Sequence, residues 1–147
     1  MKWLLDTNVI SDSVAQRPNR KVAEWIAQRS SAQIAISIVT VAELRVGAAA
    51  TPHEARRKEL LHWIETEVGE RWGHTLPVTI EILVDWLRFG RKLAAERHAM
   101  RAADSLIAAT ARVHDLIVVS RNVRHFIGAG VFVYNPWTDE THRIEKA

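Results

Sequence analysis

Cysteine is absent from the 147 residues. That excludes a disulfide framework, a thiolate metal site and a thiol nucleophile. It also suits a reducing cytoplasm, where the chain is expected to work. No run of about 18 apolar residues occurs, so no membrane-spanning helix is expected. The first apolar stretch, Trp3-Leu4-Leu5, is cut by Asp6 before it reaches signal-peptide length. Glycine (6) and proline (4) are few and scattered, leaving no linker or low-complexity tract, so one domain over 1–147 is expected. Neither charge dominates, at 20 basic against 17 acidic residues, and the small basic excess is a modest pointer to an anionic partner.

What is present is alternation. Short apolar runs at 2–6, 34–36, 116–120 and 131–134 read as strands, and 74–78 reads as an edge strand because Pro77 cannot donate a ladder bond. Between them, apolar residues at 3.6 spacing predict helices over 7–15, 20–29, 40–50, 54–68, 79–97 and 102–114. On the 79–97 helix the stripe Ile82, Leu83, Trp86, Leu87, Phe89 and Leu93 is expected to face inward. Six tryptophans fall mostly on such stripes and read as packing residues. Strands alternating with helices predict an α/β layer sandwich with a mostly parallel sheet. The polar end, 138–147, reads as a mobile tail.

Three acids share a setting. Asp6 ends the first strand, Glu43 opens the helix after the second, and Asp104 lies in the first turn of the helix before 116–120. Singly, each has a plain structural reading. Asp6 suits an N-cap. Thr40-Val41-Ala42-Glu43 matches a capping box. Asp104 suits the positive end of its helix. As a set they point elsewhere. A parallel sheet gathers strand ends along one edge, where ligands bind, and crowded carboxylates call for protonation or a cation. Oxygen ligands suit hard Mg²⁺ or Mn²⁺.

Four segments then carry a family resemblance: Asp6-Thr7-Asn8-Val9-Ile10-Ser11, Thr40-Val41-Ala42-Glu43-Leu44-Arg45-Val46-Gly47, Ala103-Asp104-Ser105-Leu106-Ile107-Ala108-Ala109-Thr110-Ala111 and Val119-Ser120-Arg121-Asn122. In this order they resemble the motifs of PIN-domain ribonucleases, and more narrowly VapC-type toxins of toxin–antitoxin pairs. The ending Val133-Tyr134-Asn135-Pro136-Trp137 resembles the FitB-like branch. The resemblance implies a PIN-like three-layer α/β/α sandwich with a mostly parallel central sheet. It implies a Mg²⁺-dependent endoribonuclease leaving 5′-phosphate and 3′-hydroxyl ends, with Mn²⁺ as a substitute. It carries Asp6, Glu43 and Asp104 over as the catalytic and metal-binding acids. It also implies a homodimer and a VapB-type antitoxin whose tail blocks the site.

Around these acids, Thr7, Asn8, Ser120 and Asn122 are candidates to orient the carboxylates or ligate. Arg45, Arg121, Arg124 and His125 are candidate phosphate contacts. One departure stands out. Where relatives often carry a fourth acid after the last core strand, this chain has Asn122 and His125, which leaves one metal or two open. That departure motivates the alternative of a non-cleaving nucleic-acid-binding or regulatory homologue. A metal-dependent phosphatase is a further alternative, although Asn8 stands where an aspartyl phosphatase would carry a second acid.

Overall fold

The computed structural model describes residues 1–143. Six strands form one sheet: β1 (Trp3–Leu5), β2 (Ile34–Ser37), β3 (His74–Leu76), β4 (Ile117–Val119), β5 (Val133–Asn135) and β6 (Glu140–His142). Their spatial order is β3-β2-β1-β4-β5-β6, with every pair parallel except β5–β6. The helices are α1 (Thr7–Val14), α2 (Arg20–Ala27), α3 (Ile38–Ala49), α4 (Glu54–Arg71), α5 (Ile80–Ala95) and α6 (Ala102–His114).

Side chains alternate across the sheet because the strand period is two. Leu5, Ile36, Val119 and Tyr134 pack with Val9, Val22, Trp25, Leu44, Ile64 and Trp72 from α1 to α4 and the residue after α4. Leu4, Ala35, Val118 and Val133 face the other way, onto Ile107, Ala108 and Ala111 of α6. Helix α5 lies against α6. The result is the expected three-layer α/β/α sandwich. Its central strand, β1, is hydrophobic on both faces because both faces are covered.

β1 also marks the point where strand order turns: β2 and β3 lie on one side, β4 and β5 on the other. In sheets of this kind the crevice beyond the carboxyl ends at that point receives ligands. Asp6 follows β1 and Ser120 follows β4, and the two strand ends are tied by Asp6 N–H donating to the Val119 carbonyl at 2.9 Å.

Several expectations shift. Helix α3 starts at Ile38, capped by Ser37, whose hydroxyl accepts from Val39 N–H at 3.1 Å. The sequence window favoured Thr40, but Thr40 is buried, with no partner for its hydroxyl among the described residues. Pro77 lies just past β3 rather than within it. Leu87 is 61% exposed and, with Ile80 and Val84, makes an outward apolar stripe on α5. A continuous amphipathic pattern could not separate it from inward neighbours, since positions 86 and 87 are only about 100° apart on a helix. The expected mobile tail is corrected as well. Thr138 and Asp139 make a turn, and Glu140–His142 returns as β6 along β5. Asp139, at φ 59°, takes the left-handed conformation that Asp tolerates in turns. The rest of that tail, 144–147, lies outside the described residues.

Candidate active site

Asp6 is 5% exposed. It caps α1, accepting from its neighbour Thr7 N–H at 2.8 Å on Oδ1. Its Oδ2 accepts from the Ser120 hydroxyl at 2.7 Å and from Asn8 Nδ2 at 3.3 Å. So the plain N-cap reading is true of this residue, but it occupies only one oxygen. Burial pushes the Asp6 carboxyl above its ordinary range, and the nearby Asp104 and Glu43 charges push the same way. The hydrogen bonds from Ser120 and Thr7 act against them.

Glu43 stands in the second turn of α3, not in a capping box. Its Oε1 accepts from the Thr7 hydroxyl at 2.7 Å, and its Oε2 meets Arg101 Nη2 at 3.4 Å. Asp104, 6% exposed, sits in the first turn of α6, where Oδ2 lies 3.3 Å from His125 Nδ1. Three chain segments thus bring Glu43 and Asp104 near enough for both charges to act on Asp6, each acid steadied by a different donor.

Ser120 joins the pieces. Fully buried, it donates to Asp6 and accepts from Asn8 Nδ2 at 3.1 Å and from the backbone N–H of Asn122 at 3.0 Å. Asn8 Oδ1 in turn accepts from the Arg121 N–H at 3.1 Å. The four expected orienting residues therefore all engage the site, Asn122 through its backbone.

The expected phosphate contacts divide. Arg121 and Arg124 flank the crevice on the turn after β4, with the Arg121 guanidinium 5.4 Å from the Trp137 ring centre. His125 reaches Asp104 instead of standing apart. Arg45 is exposed on α3, about 200° round the helix from Glu43, so it does not share the carboxylate face. Arg101 was missed by sequence reading. It precedes α6 without capping it by side chain, so no local pattern marks it; only its reach to Glu43 does.

Among the described residues no group of three or more His, Asp or Glu side chains stands close enough together to hold a metal ion by itself. The carboxylate oxygens are met by Thr7, Asn8, Ser120, Arg101 and His125; Asp6 Oδ2 accepts from both Ser120 and Asn8, while the other oxygens keep a lone pair unused. That donor set fits hydrated Mg²⁺, which keeps several waters and takes one or two carboxylates directly. A cavity of about 790 Å³ lies between α5 and α6 around Trp86, Leu93 and Ala108 and has no carboxylate in its wall.

A PIN-domain family model matches residues 3–128. The chain is 34% identical to toxin FitB of Neisseria gonorrhoeae over 137 residues, spanning 92% of this chain and 99% of that one. It is 35% identical to VapC ribonuclease Y4jK of Sinorhizobium fredii over 135 residues, covering 91% and 96%. The fold superposes on a structure of FitAB bound to a DNA fragment with TM-score 0.85 at 32% identity, covering 96% of this chain and 99% of that chain. A DNA-bound VapBC from Salmonella typhimurium shares the fold, with TM-score 0.79 at 22% identity and coverage of 92% and 98%. No described helix is long and apolar enough to cross a membrane.

Proposed function

Since the chain belongs to the PIN-domain family, as a VapC-type member of the FitB-like branch, we propose that it is the cytoplasmic ribonuclease toxin of a type II toxin–antitoxin pair. Its reaction is Mg²⁺-dependent hydrolysis of RNA phosphodiesters. The observation that carries this reading is the convergence of Asp6, Glu43 and Asp104 at the carboxyl edge of a parallel sheet. There the buried Asp6 carboxyl is pushed up by its own burial and by the other two charges. A stability role alone does not account for three acids sharing one crevice.

In this reading Asp6 and Asp104 hold the cation, directly or through water, and Glu43 completes the set. When bound, Mg²⁺ supplies Lewis-acid polarisation of a phosphate and makes a bound water more acidic. The chain's own residues supply order. Ser120 and Asn8 fix the orientation of Asp6 Oδ2, and the Thr7 hydroxyl holds Glu43. Asn122 and His125 bring no carboxylate, which favours a single cation. Arg121 and Arg124, on the turn after β4, would meet substrate phosphates.

Two partners follow from the family. The FitAB and VapBC neighbours are toxin–antitoxin complexes, and we extend to this chain a small VapB-type antitoxin that covers the crevice. A homodimer is supported by the outward stripe Ile80, Val84 and Leu87 on α5, with Ile80 68% exposed. Such an apolar row is costly to leave in water.

The test is cleavage of single-stranded RNA by the purified chain with Mg²⁺. Cleavage should vanish in chelator and in Asp6→Asn. Undiminished activity in Asp6→Asn, or no cleavage by the wild type of any RNA tried from the same cell, would overturn the reading.

A further inference from the structure

Beside the carboxylate crevice lies a separate cavity of about 520 Å³. One wall is the turn after β4, with Arg121, Arg124 and His125. The other is β6, with Glu140, Thr141 and His142. The two spaces share a border. His125 lines the cavity while its Nδ1 contacts Asp104, and Asn122 lines it while its backbone N–H holds Ser120.

We propose that this cavity is a phosphate-binding subsite for the nucleotide next to the scissile linkage. This rests on the nuclease reading and adds to it a place for the neighbouring stretch of the strand. Charge is the first ground. The lining holds two guanidinium groups and two imidazoles against one carboxylate, Glu140. Among the described residues, neither Arg121 nor Arg124 has a carboxylate partner. Arg101, by contrast, is engaged with Glu43. Unpaired guanidinium forks match phosphate oxygens geometrically as well as electrically.

Preorganisation is the second ground. Arg121 is steadied from below by Trp137, and its own backbone N–H is fixed by Asn8. Size is the third. The volume takes one nucleotide unit and falls within the ordinary range for small-ligand pockets, about 300–1,000 Å³. The track also continues. His142 lines both this cavity and the next, where Lys92 and Arg143 lie.

The test separates binding from cleavage. Labelled single-stranded RNA is titrated against the protein in chelator, by fluorescence anisotropy, at several salt concentrations. Arg121→Gln and Arg124→Gln should each weaken binding about ten-fold, the scale of one charge-assisted contact. Each should also lower the salt slope by about 0.7, one phosphate of a single strand. Glu140→Gln should tighten binding, and Arg20→Gln, whose side chain is 91% exposed and paired with Glu24, should change nothing. Inorganic phosphate and a 5′-phosphorylated dinucleotide, added as competitors, distinguish a general phosphate site from one that needs a strand. Circular dichroism confirms each variant's fold. If both arginine variants fold and keep the wild-type slope, or if the wild type binds no RNA in chelator, the subsite is wrong. If the wild type cleaves RNA while the slopes stay unchanged, the nuclease reading stands and only the subsite falls. If slopes drop as expected but nothing is ever cleaved, the cavity stands as a phosphate contact for RNA, and the nuclease reading falls together with the cavity's place beside a scissile linkage.

Discussion

Ser120→Ala removes a hydroxyl that is fully buried and makes three hydrogen bonds, to Asp6, Asn8 and the Asn122 N–H. The bond to Asp6 is charge-assisted when the carboxylate is ionised, worth about 1.5–3 kcal/mol. The others are neutral, worth about 0.5–1.5 kcal/mol each, partly recovered by water in the partly exposed crevice. The expected loss at about pH 8 in chelator is therefore roughly 2–4 kcal/mol, or roughly 6–12 °C in melting temperature for a chain of this size. The sign of the pH dependence follows from the Ser120 bond. It lowers an Asp6 carboxyl that burial has raised, so removing it raises that carboxyl further. The charge-assisted share of the loss is present above the Asp6 titration and fades as the pH falls through it, leaving only the neutral share. In an Asp6→Asn background the same serine change should cost only the neutral share at every pH, a double-mutant cycle whose coupling is the charged bond itself. With Mg²⁺, the acid limb of the rate profile should move to higher pH in Ser120→Ala. A loss of equal size on both sides of the Asp6 titration would refute the reasoning, as would an undiminished loss in the Asp6→Asn background. Either result would make Ser120 a loop hydroxyl and not the residue that orients Asp6.

Other outcomes follow from the same geometry. Asp104→Asn should lose about 10²–10³-fold or more in RNA cleavage, the rate equivalent of several kcal/mol of metal-assisted catalysis, while melting close to wild type; a variant that unfolds far below wild type would mark Asp104 as a helix-start residue instead. The single tyrosine, Tyr134, is pushed up from 10.0 to about 12 by burial and by its hydrogen bond to Asp139. Its phenolate absorbance should stay silent at pH values where the urea-unfolded chain titrates. Stability should accordingly fall as pH rises from about 10 to about 12, because the unfolded chain releases that proton first; a phenol titrating normally in the folded protein would contradict this. Leu87→Glu should give a monomer by light scattering at micromolar concentration, where the wild type without antitoxin should run as a dimer; a wild-type monomer would count against the α5 interface.

Much of this site could be read before any coordinates. An acid closing an apolar strand is a local pattern, and Asp6 fell where β1 ends. Asp104 could be placed because 102–114 keeps a clean helical period. Contacts made across the sheet were different. Thr7 with Glu43, Ser120 with Asp6 and His125 with Asp104 join residues far apart in the chain, and no spacing rule relates them. Glu43 shows how local rules mislead. Thr-x-x-Glu satisfies a capping box as a string, yet Ser37 caps the helix one turn earlier, because β2 ends there, and that frees Glu43 to face the crevice. The 138–147 segment read as a tail because its polar residues carry no apolar alternation. It pairs as β6 through backbone hydrogen bonds and a tight turn at Asp139, which need no hydrophobic face.

The placement of β1 has a consequence in time. The strand made first stands in the middle of the sheet, and its far neighbour is made near the end. Ser120 follows Asp6 by 114 residues. At roughly 5–20 residues per second of synthesis, some 6–23 seconds separate their appearance. Until α6 and β4 have emerged, the first carboxylate has neither its hydroxyl partner nor the second acid of the crevice. A ribosome-bound fragment lacking 104–120 therefore holds no assembled centre, however much of β1 to β3 has already paired. Pairing distant strands in parallel is also slow in itself. Whatever chemistry the crevice carries, it begins only once residue 120 has left the ribosome and folded against β1, which leaves an interval in which a partner can arrive first.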